Sequence, residues 1–209
     1  MNEGFVCLVL IGYCQLMQLK FRKRQKKIDN EEIKQLVEWL SEKDDKIRYQ
    51  SFLLLKSRSE SFDDVYPFWD VFSEKLKSEN SYQRSIGFML ISENVRWNKE
   101  GKFEKIMDDY LINLNYDKPI IVRQCIQSLQ NIIPYKENLQ FTIADKIMAI
   151  DIMSVRETMR KPILTDILEV LVMIRKYRTK DEIESYIFTA LSGEILDKKS
   201  VKKIETMMK

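Results

Sequence analysis

The chain has 209 residues, of which 32% are charged and 44% hydrophobic, which suits one soluble domain of ordinary size or two small ones. It contains only 5 glycines and 4 prolines, too few for sandwiches or barrels built from many hairpins. It has no histidine, which excludes a Ser-His-Asp triad, a His-ligated metal centre and imidazole acid–base chemistry. These counts favour an all-α protein.

The first 28 residues form an N-terminal segment, 1–28, that differs in composition from the rest. Residues 5–19 are mostly apolar, but Gln15 and Gln18 interrupt them, and the run is shorter than the roughly 20 apolar residues of a membrane-spanning helix. Cations follow the run instead of preceding it, which is the reverse of a secretory signal. Three interpretations stay open: a cap on the first helices, an extension upstream of an internal start at Met17, or a weak membrane anchor.

A basic block ends this segment. Its six cations are Lys20, Arg22, Lys23, Arg24, Lys26 and Lys27. Removing these six charges from the net charge of +3 leaves −3 for the rest of the chain, so the remaining surface does not have the charge of a nucleic-acid or anionic-membrane surface. We therefore expect contacts with nucleic acid only through the basic block, and no membrane contact elsewhere.

The three cysteines are an odd number and predict no disulfide framework, which favours a reducing, cytoplasmic setting. Cys125 falls on a predicted helix, and the chain has no histidine to activate it. We therefore expect Cys125 to be a small buried side chain.

From residue 29 onward the chain is predicted to form five antiparallel helix pairs within one domain, 29–209. Apolar residues recur at three- and four-residue intervals, and short polar linkers separate the amphipathic segments. Pro67, Pro119 and Pro162 are expected in first turns, where a missing N–H costs least. The predicted pairs are 29–41 with 44–58, 63–78 with 80–97, 101–115 with 119–134, 137–151 with 161–178, and 181–192 with 197–208.

Four arginines mark an internal repeat. Arg48, Arg84, Arg123 and Arg160 are 36, 39 and 37 residues apart, and near-constant spacing of this kind indicates a stacked array of helix pairs. Each arginine follows a polar turn, where a cation opposes the helix dipole. We expect each arginine side chain to bridge to its turn, so that a structural ladder runs along the stack.

The residues after the first two arginines repeat as well. A small residue stands three places on, at Ser51 and Gly87, and a phenylalanine four places on, at Phe52 and Phe88. We expect the small residue to allow close approach of a neighbouring helix and the phenylalanine to fill the space between pairs.

These segments resemble the HEAT-repeat family, whose consensus has an acidic turn, then Val-Arg, then a small residue three places on. The matching positions are Ile47-Arg48 with Ser51, Gln83-Arg84 with Gly87, and Val122-Arg123. The third copy departs at Ile126, and in the fourth Val155-Arg156 competes with Met159-Arg160 for the register. The resemblance covers 29–209 and implies a right-handed α-α superhelix of HEAT or armadillo type, a solenoid of about five antiparallel helix pairs.

The resemblance also implies a binding surface, because the second helix of each pair lines the concave side of such solenoids. Amide side chains suit hydrogen bonding to an extended peptide or a partner helix. The predicted partner-binding residues are Tyr49, Ser85, Gln124, Gln127, Gln130 and Asn131. The leading hypothesis is a cytoplasmic, non-enzymatic scaffold or adaptor that binds an unidentified protein, with no cofactor and no metal; its oligomeric state stays open.

A nucleic-acid-binding repeat protein of the DNA alkylation-repeat glycosylase type is the alternative. Those enzymes are built from HEAT-like repeats and use aromatic residues with an acidic residue in a basic groove, which draws attention to Trp39, Trp69 and Trp97. The three tryptophans occupy non-equivalent places in the repeats, and the body of the chain is not basic. Trp69 is expected in the core.

Overall fold

The structure is a computed structural model, and it describes residues 30–209. This part of the chain is all-helical, with ten α-helices and no strand, which confirms the predicted all-α class. In chain order the helices are α1 (Asn30–Trp39), α2 (Asp45–Ser59), α3 (Trp69–Lys75), α4 (Ser81–Asn94), α5 (Lys102–Leu111), α6 (Pro119–Ile132), α7 (Gln140–Met148), α8 (Glu157–Tyr177), α9 (Asp181–Ser192) and α10 (Lys198–Met207). Short 3-10 helices lie at Tyr66–Phe68, Val95–Trp97, Ile112–Asn115, Ile133–Tyr135 and Glu137–Leu139.

The N-terminal segment, including its basic block, lies outside the described residues, so its interpretations stay predictions. From residue 30 onward, no helix combines the length and the apolar character that crossing a bilayer requires.

Side-chain caps explain why two of the repeat helices begin where they do. Asp44 Oδ1 accepts hydrogen bonds from the backbone N–H groups of Lys46 and Ile47 at the start of α2. Asn80 Oδ1 accepts from the N–H groups two and three residues further on at the start of α4. Each cap satisfies donors that the first helical turn leaves without partners.

The prolines correct two of the predicted boundaries. Pro119 is the first residue of α6, as predicted. Pro67 lies instead in a 3-10 helix, and α3 begins at Trp69, later than the predicted start at residue 63. Pro162 lies inside α8, which begins at Glu157 and not at residue 161.

An internal proline is tolerated in α8 for two physical reasons. It removes one helical hydrogen-bond donor early in a helix that buries many apolar side chains further along, and that burial stabilises the helix. The turn before it is held by Arg160, whose guanidinium donates to the carbonyls of Val155 and Met153 at 3.0 and 2.9 Å.

The chain divides into two compact units, one ending at Asn98 and the other spanning Lys99–Lys209. We call them the N-terminal unit, described over residues 30–98, and the C-terminal unit. The single repeat domain over 29–209 stays a prediction.

In the N-terminal unit, α1 packs on α2, while α4 contacts both α2 and α3. The close approach expected at Gly87 is confirmed, because a Cβ atom there would lie 2.9 Å from the Phe72 carbonyl oxygen and 3.0 Å from Lys75 Cβ. Only glycine leaves room for the backbone of α3 at this point of α4. Phe88, the next residue, is fully buried.

The C-terminal unit is organised around α8, against which α6, α7, α9 and α10 all pack. Its apolar residues face neighbours on several sides, as expected of a helix at the centre of a helical unit. The buried apolar residues of α8 are Ile163, Leu164, Ile167, Leu168, Val170, Leu171, Val172 and Ile174. Asp166 is buried among them, and its carboxylate accepts hydrogen bonds from side chains of α6.

Candidate functional site

The repeat arginines of the N-terminal unit turn back onto the chain just before their own helices. Arg48 Nη1 donates to the carbonyl of Glu42 at 2.7 Å, and its Nη2 pairs with Asp45. Arg84 Nε donates to the carbonyl of Ser78 at 3.1 Å. These guanidinium groups therefore close the turn that precedes each helix.

Arg160, in α8, follows the same pattern through Val155 and Met153. The residue three places on, Ile163, is fully buried, whereas Arg156 is exposed and precedes the first residue of α8. The Arg160 register therefore fits the other copies better than the Arg156 register. Arg160 donates to backbone carbonyls, so its bridge to the turn does not need a carboxylate.

Arg123 departs from this pattern, because its guanidinium reaches another helix. Its Nε and Nη2 donate to Asp166 Oδ2 and Oδ1 at 2.6 and 3.2 Å, and Gln127 Nε2 donates to Asp166 Oδ1 at 3.0 Å. Asp166 is 4% exposed, and three donors from α6 satisfy its carboxylate. The hydrogen bond to Asp166 favours the charged guanidinium and raises the pKa of Arg123.

A cleft of about 530 Å³ opens between α6, α8 and α10, directly beside this pair. We call it the α6–α8–α10 cleft. Its lining is polar and carries both signs of charge, with amide and hydroxyl groups between the charged side chains. Its polar lining residues are Arg123, Gln127 and Gln130 from α6; Lys161, Thr165, Asp166 and Glu169 from α8; and Ser200 and Lys203 from α10.

Ion pairs and one apolar side chain hold α10 beside this cleft. Glu169 accepts from Gln130 Nε2 at 3.5 Å and pairs with Lys203. Ile204 is fully buried and faces the interior of the unit. The polar contacts therefore form the rim of the cleft, and the apolar contact lies beneath it.

Asp197 caps the N-terminus of α10 and ties it to α8. It accepts from the backbone N–H of Ser200 at 2.8 Å and from Lys161 Nζ at 2.9 Å. These hydrogen bonds hold the pKa of Asp197 well below its usual range, so the carboxylate stays ionised.

Only part of the predicted partner-binding set lies in this cleft. Gln127 and Gln130 line it, whereas Gln124 and Asn131 are half-buried elsewhere on α6. Tyr49 lies in the N-terminal unit and is 49% exposed.

Ser85 corrects the prediction of a row of accessible side chains. It is 5% exposed, and its Oγ donates to the carbonyl of Ser81 at 3.0 Å. A serine in a helix interior satisfies its hydroxyl in this way when it points into the packed side, so Ser85 does not form part of a surface.

The lining residues of α8 and α10 were not predicted. Lys161, Thr165 and Glu169 stand four residues apart, which places them on one face of a helix. That spacing was a usable signal, but nothing in the local pattern showed that this face lies opposite α6.

The tryptophans and Cys125 are structural. Trp69 is 1% exposed, as expected of a core residue, and Trp39 is also buried. Trp97 is half-buried and donates from Nε1 to the carbonyl of Ser59 at 2.9 Å. Cys125 is completely buried, which raises the pKa of its thiol and confirms the predicted packing role.

Neither the protein-family models nor the curated proteins contain a match to this chain. The resemblance to HEAT repeats therefore stays a prediction that depends on the repeat register. The cleft itself offers hydrogen-bond donors, hydrogen-bond acceptors and charges of both signs, an arrangement suited to recognising a polar ligand.

Proposed function

We propose that this protein is a non-enzymatic, cytoplasmic scaffold or adaptor of the HEAT-like α-solenoid type, and that a segment of a partner protein binds in the α6–α8–α10 cleft. The observation that carries the proposal is the convergence of three helices on this polar cleft, with the amides of Gln127 and Gln130 on one wall. Proteins of this class bind partners on the concave side of their repeats.

The chemistry of the walls fits a peptide backbone. Gln127 donates to Asp166, while its Oε1 accepts no hydrogen bond from any described residue and is available to a backbone N–H. Thr165 Oγ1 donates to the carbonyl of Lys161 at 2.8 Å, and its oxygen can still accept. An extended segment carries both donors and acceptors along its main chain, so it can use both kinds of group.

The spacing along α8 supports an extended segment in particular. Lys161, Thr165 and Glu169 are four residues apart, which corresponds to an axial rise of about 6 Å each at 1.5 Å per residue. In an extended strand, residues i and i+2, whose side chains lie on the same face, are about 6.6 Å apart. Successive side chains on one face of such a segment therefore meet successive positions on this wall.

The repeat register supports the HEAT-like part of the proposal. The residue three places after each repeat arginine is buried in all four copies, at Ser51, Gly87, Ile126 and Ile163. At Gly87 the close contact is with α3, the other helix of the same predicted pair, and a position that is buried in every copy is expected where the same helix packing repeats.

Affinity purification of the full chain from its native cell tests this function, with a variant that fills the cleft. Thr165→Trp places a large side chain between the walls, and Thr189→Trp on α9, at an exposed position, is the matched control. Circular dichroism establishes that both variants are folded.

We expect a stoichiometric protein partner with the wild-type chain and with Thr189→Trp, and its loss with Thr165→Trp. Retention of the partner by folded Thr165→Trp would contradict the proposal. Recovery of nucleic acid alone would favour the glycosylase-type alternative.

A further inference from the structure

The helix α10 carries more positive charge than its surroundings neutralise. Lys203 pairs with Glu169. Lys198, Lys199 and Lys202 are exposed and have no ion-pair partner among the described residues. Lys146 and Lys176 of the same unit also lack an ion-pair partner among the described residues, but they stand on two separate helices, whereas these three lysines lie on one short helix. We call Lys198, Lys199 and Lys202 the lysine stripe.

The lysine stripe is unfavourable for the stability of α10 itself. Lys198 and Lys199 stand in the first turn, where the helix dipole is positive and cations are destabilising. The cap from Asp197 offsets part of this cost. The two lysine charges therefore do not stabilise the folded unit, which suggests that they contribute to binding another molecule.

The stripe borders the α6–α8–α10 cleft. Lys199 is four residues from Lys203 and three from Lys202, so its side chain neighbours each of theirs on the helix surface. Lys203 lines the cleft, and the next residue, Ile204, is buried in the unit. Charges on an occupant of the cleft would therefore lie next to Lys199, with Lys202 one turn further along.

We propose that the partner segment is acidic, and that its carboxylates pair with Lys199 and Lys202 while its backbone lies in the α6–α8–α10 cleft. This inference rests on the proposed function, because it names the chemistry of the segment that binds there. Complementary charge at the rim of an interface raises the association rate and makes binding sensitive to salt.

Two features of the cleft favour an acidic protein segment over other anions. Asp166 and Glu169 line it, and they repel a continuous polyphosphate chain, whereas a peptide can place uncharged residues beside them and carboxylates beside the lysines. An anionic membrane is disfavoured because the apolar side of α10 is already packed through Ile204, which leaves no apolar face to insert.

Fluorescence anisotropy with the full chain tests the inference at 50 and 150 mM salt. The probes are a labelled 12-residue peptide with a serine- and threonine-rich half and a half containing four glutamates, the same peptide with glutamines in place of the glutamates, and a 12-nucleotide single-stranded oligothymidylate. The test variant is Lys199→Glu/Lys202→Glu. Acidic residues suit the N-terminal turns of a helix, so this variant is expected to fold.

The matched control is Lys146→Glu/Lys176→Glu. Both of these lysines lie in the C-terminal unit, are exposed and have no ion-pair partner among residues 30–209. The control therefore makes the same change in net charge away from the cleft. A general electrostatic effect would act on both variants equally.

We expect the acidic peptide to bind at least tenfold more tightly than its glutamine counterpart. Lys199→Glu/Lys202→Glu should weaken its binding about tenfold, the control less than twofold, and higher salt should weaken binding to the wild type.

Equal losses in the two variants, or tighter binding of oligothymidylate than of the acidic peptide at 150 mM salt, would overturn the inference. Equal binding of the glutamate and glutamine peptides, abolished by Thr165→Trp, would overturn the acidic assignment and leave the proposed function standing. If neither peptide binds, the inference is also overturned. The affinity purification with Thr165→Trp and Thr189→Trp then tests the proposed function separately.

Discussion

The N-terminal and C-terminal units differ at one copy of the repeat arginine. In the N-terminal unit, Arg48 and Arg84 close turns with nearby backbone carbonyls. In the C-terminal unit, Arg160 closes its turn in the same way, but Arg123 crosses to a carboxylate 43 residues away in sequence. A guanidinium that turns back stabilises its own helix start, whereas one that crosses over joins two helices and places polar groups between them.

In the N-terminal unit, several other polar side chains bond to neighbours inside the fold. Asn94 Nδ2 donates to Ser59 Oγ at 2.8 Å, and Trp97 donates to the carbonyl of the same serine. Arg58 pairs with Asp64 and lies 3.5 Å from the centre of the Phe62 ring. These contacts lie inside the fold, while those around Arg123 and Asp166 open onto a cleft. For this reason we place the proposed binding site in the C-terminal unit.

The substitution with the largest expected effect disrupts the packing of the N-terminal unit. Gly87→Val forces a side chain against the backbone of α3, where even a Cβ would lie 3.1 Å from the Leu76 nitrogen. We expect the free energy of unfolding to fall by about 3 kcal/mol, the upper end for overpacked cores. Urea unfolding measures this loss.

Gly193→Ala is the control, because its Cβ would lie 3.4 Å from the Thr189 carbonyl oxygen, an ordinary contact. A loss below about 0.5 kcal/mol in Gly87→Val, the range of ordinary surface substitutions, would contradict the close approach of α3 and α4.

A double-mutant cycle sharpens the comparison at the crossing arginine. Arg123→Gln and Asp166→Asn each remove one charge from the pair between α6 and α8. We expect a coupling free energy of about 2 kcal/mol, since the pair is partly buried and makes two hydrogen bonds. Urea unfolding of the four chains yields this value, and additive effects of the two substitutions would show that the arginine does not join the helices.

Arg84→Ala tests the turned-back arginine in the N-terminal unit. Losing a charged hydrogen bond to the half-buried Ser78 carbonyl should lower the free energy of unfolding by about 1.5 kcal/mol, while binding of the acidic peptide stays unchanged. Thermal unfolding and anisotropy measure the two quantities. An unchanged Tm would count against the turn-closing role, and weakened peptide binding would count against confining recognition to the C-terminal unit.

The smallest effect concerns a buried carboxyl of the N-terminal unit. Burial raises the pKa of Glu93, and Lys56, at 3.4 Å, opposes that shift only in part. The folded state therefore binds a proton more readily than the unfolded state, so this group adds stability as the pH falls from 7 toward the ordinary carboxyl range.

Glu93→Gln should remove that contribution. Denaturation of both chains between pH 7 and pH 5 gives the comparison. If the stability of Glu93→Gln depended on pH in the same way as that of the wild type, the pKa of Glu93 would be the same in the folded and unfolded states, which would contradict this prediction.

Local patterns predicted the helices well because the causes are local. Caps such as Asp44 and Asn80, together with the periodicity of apolar residues, depend on residues a few positions apart. Gln127 and Gln130 were found because an amide-rich helix face is also a local pattern. The interior position of Pro162 was missed, since its tolerance depends on burial against four other helices.

The rest of the cleft depends on pairs that are distant in sequence. Asp166 becomes the partner of Arg123 only after α6 packs on α8, and Lys203 reaches Glu169 only after α10 packs there. Nothing in the spacing of these residues indicates those contacts. The prediction that Ser85 is accessible was wrong for a related reason, because its burial depends on packing within the folded unit.

The measurement that tests the central claim most directly is site-specific photo-cross-linking in the native cell. A diazirine amino acid replaces Gln130, which lines the α6–α8–α10 cleft, in the full chain, and the same amino acid replaces exposed Thr189 as the control. We expect one discrete protein to be cross-linked from position 130 through an acidic segment, and not from position 189. The same products at both positions, or none at position 130, would contradict a binding site in this cleft.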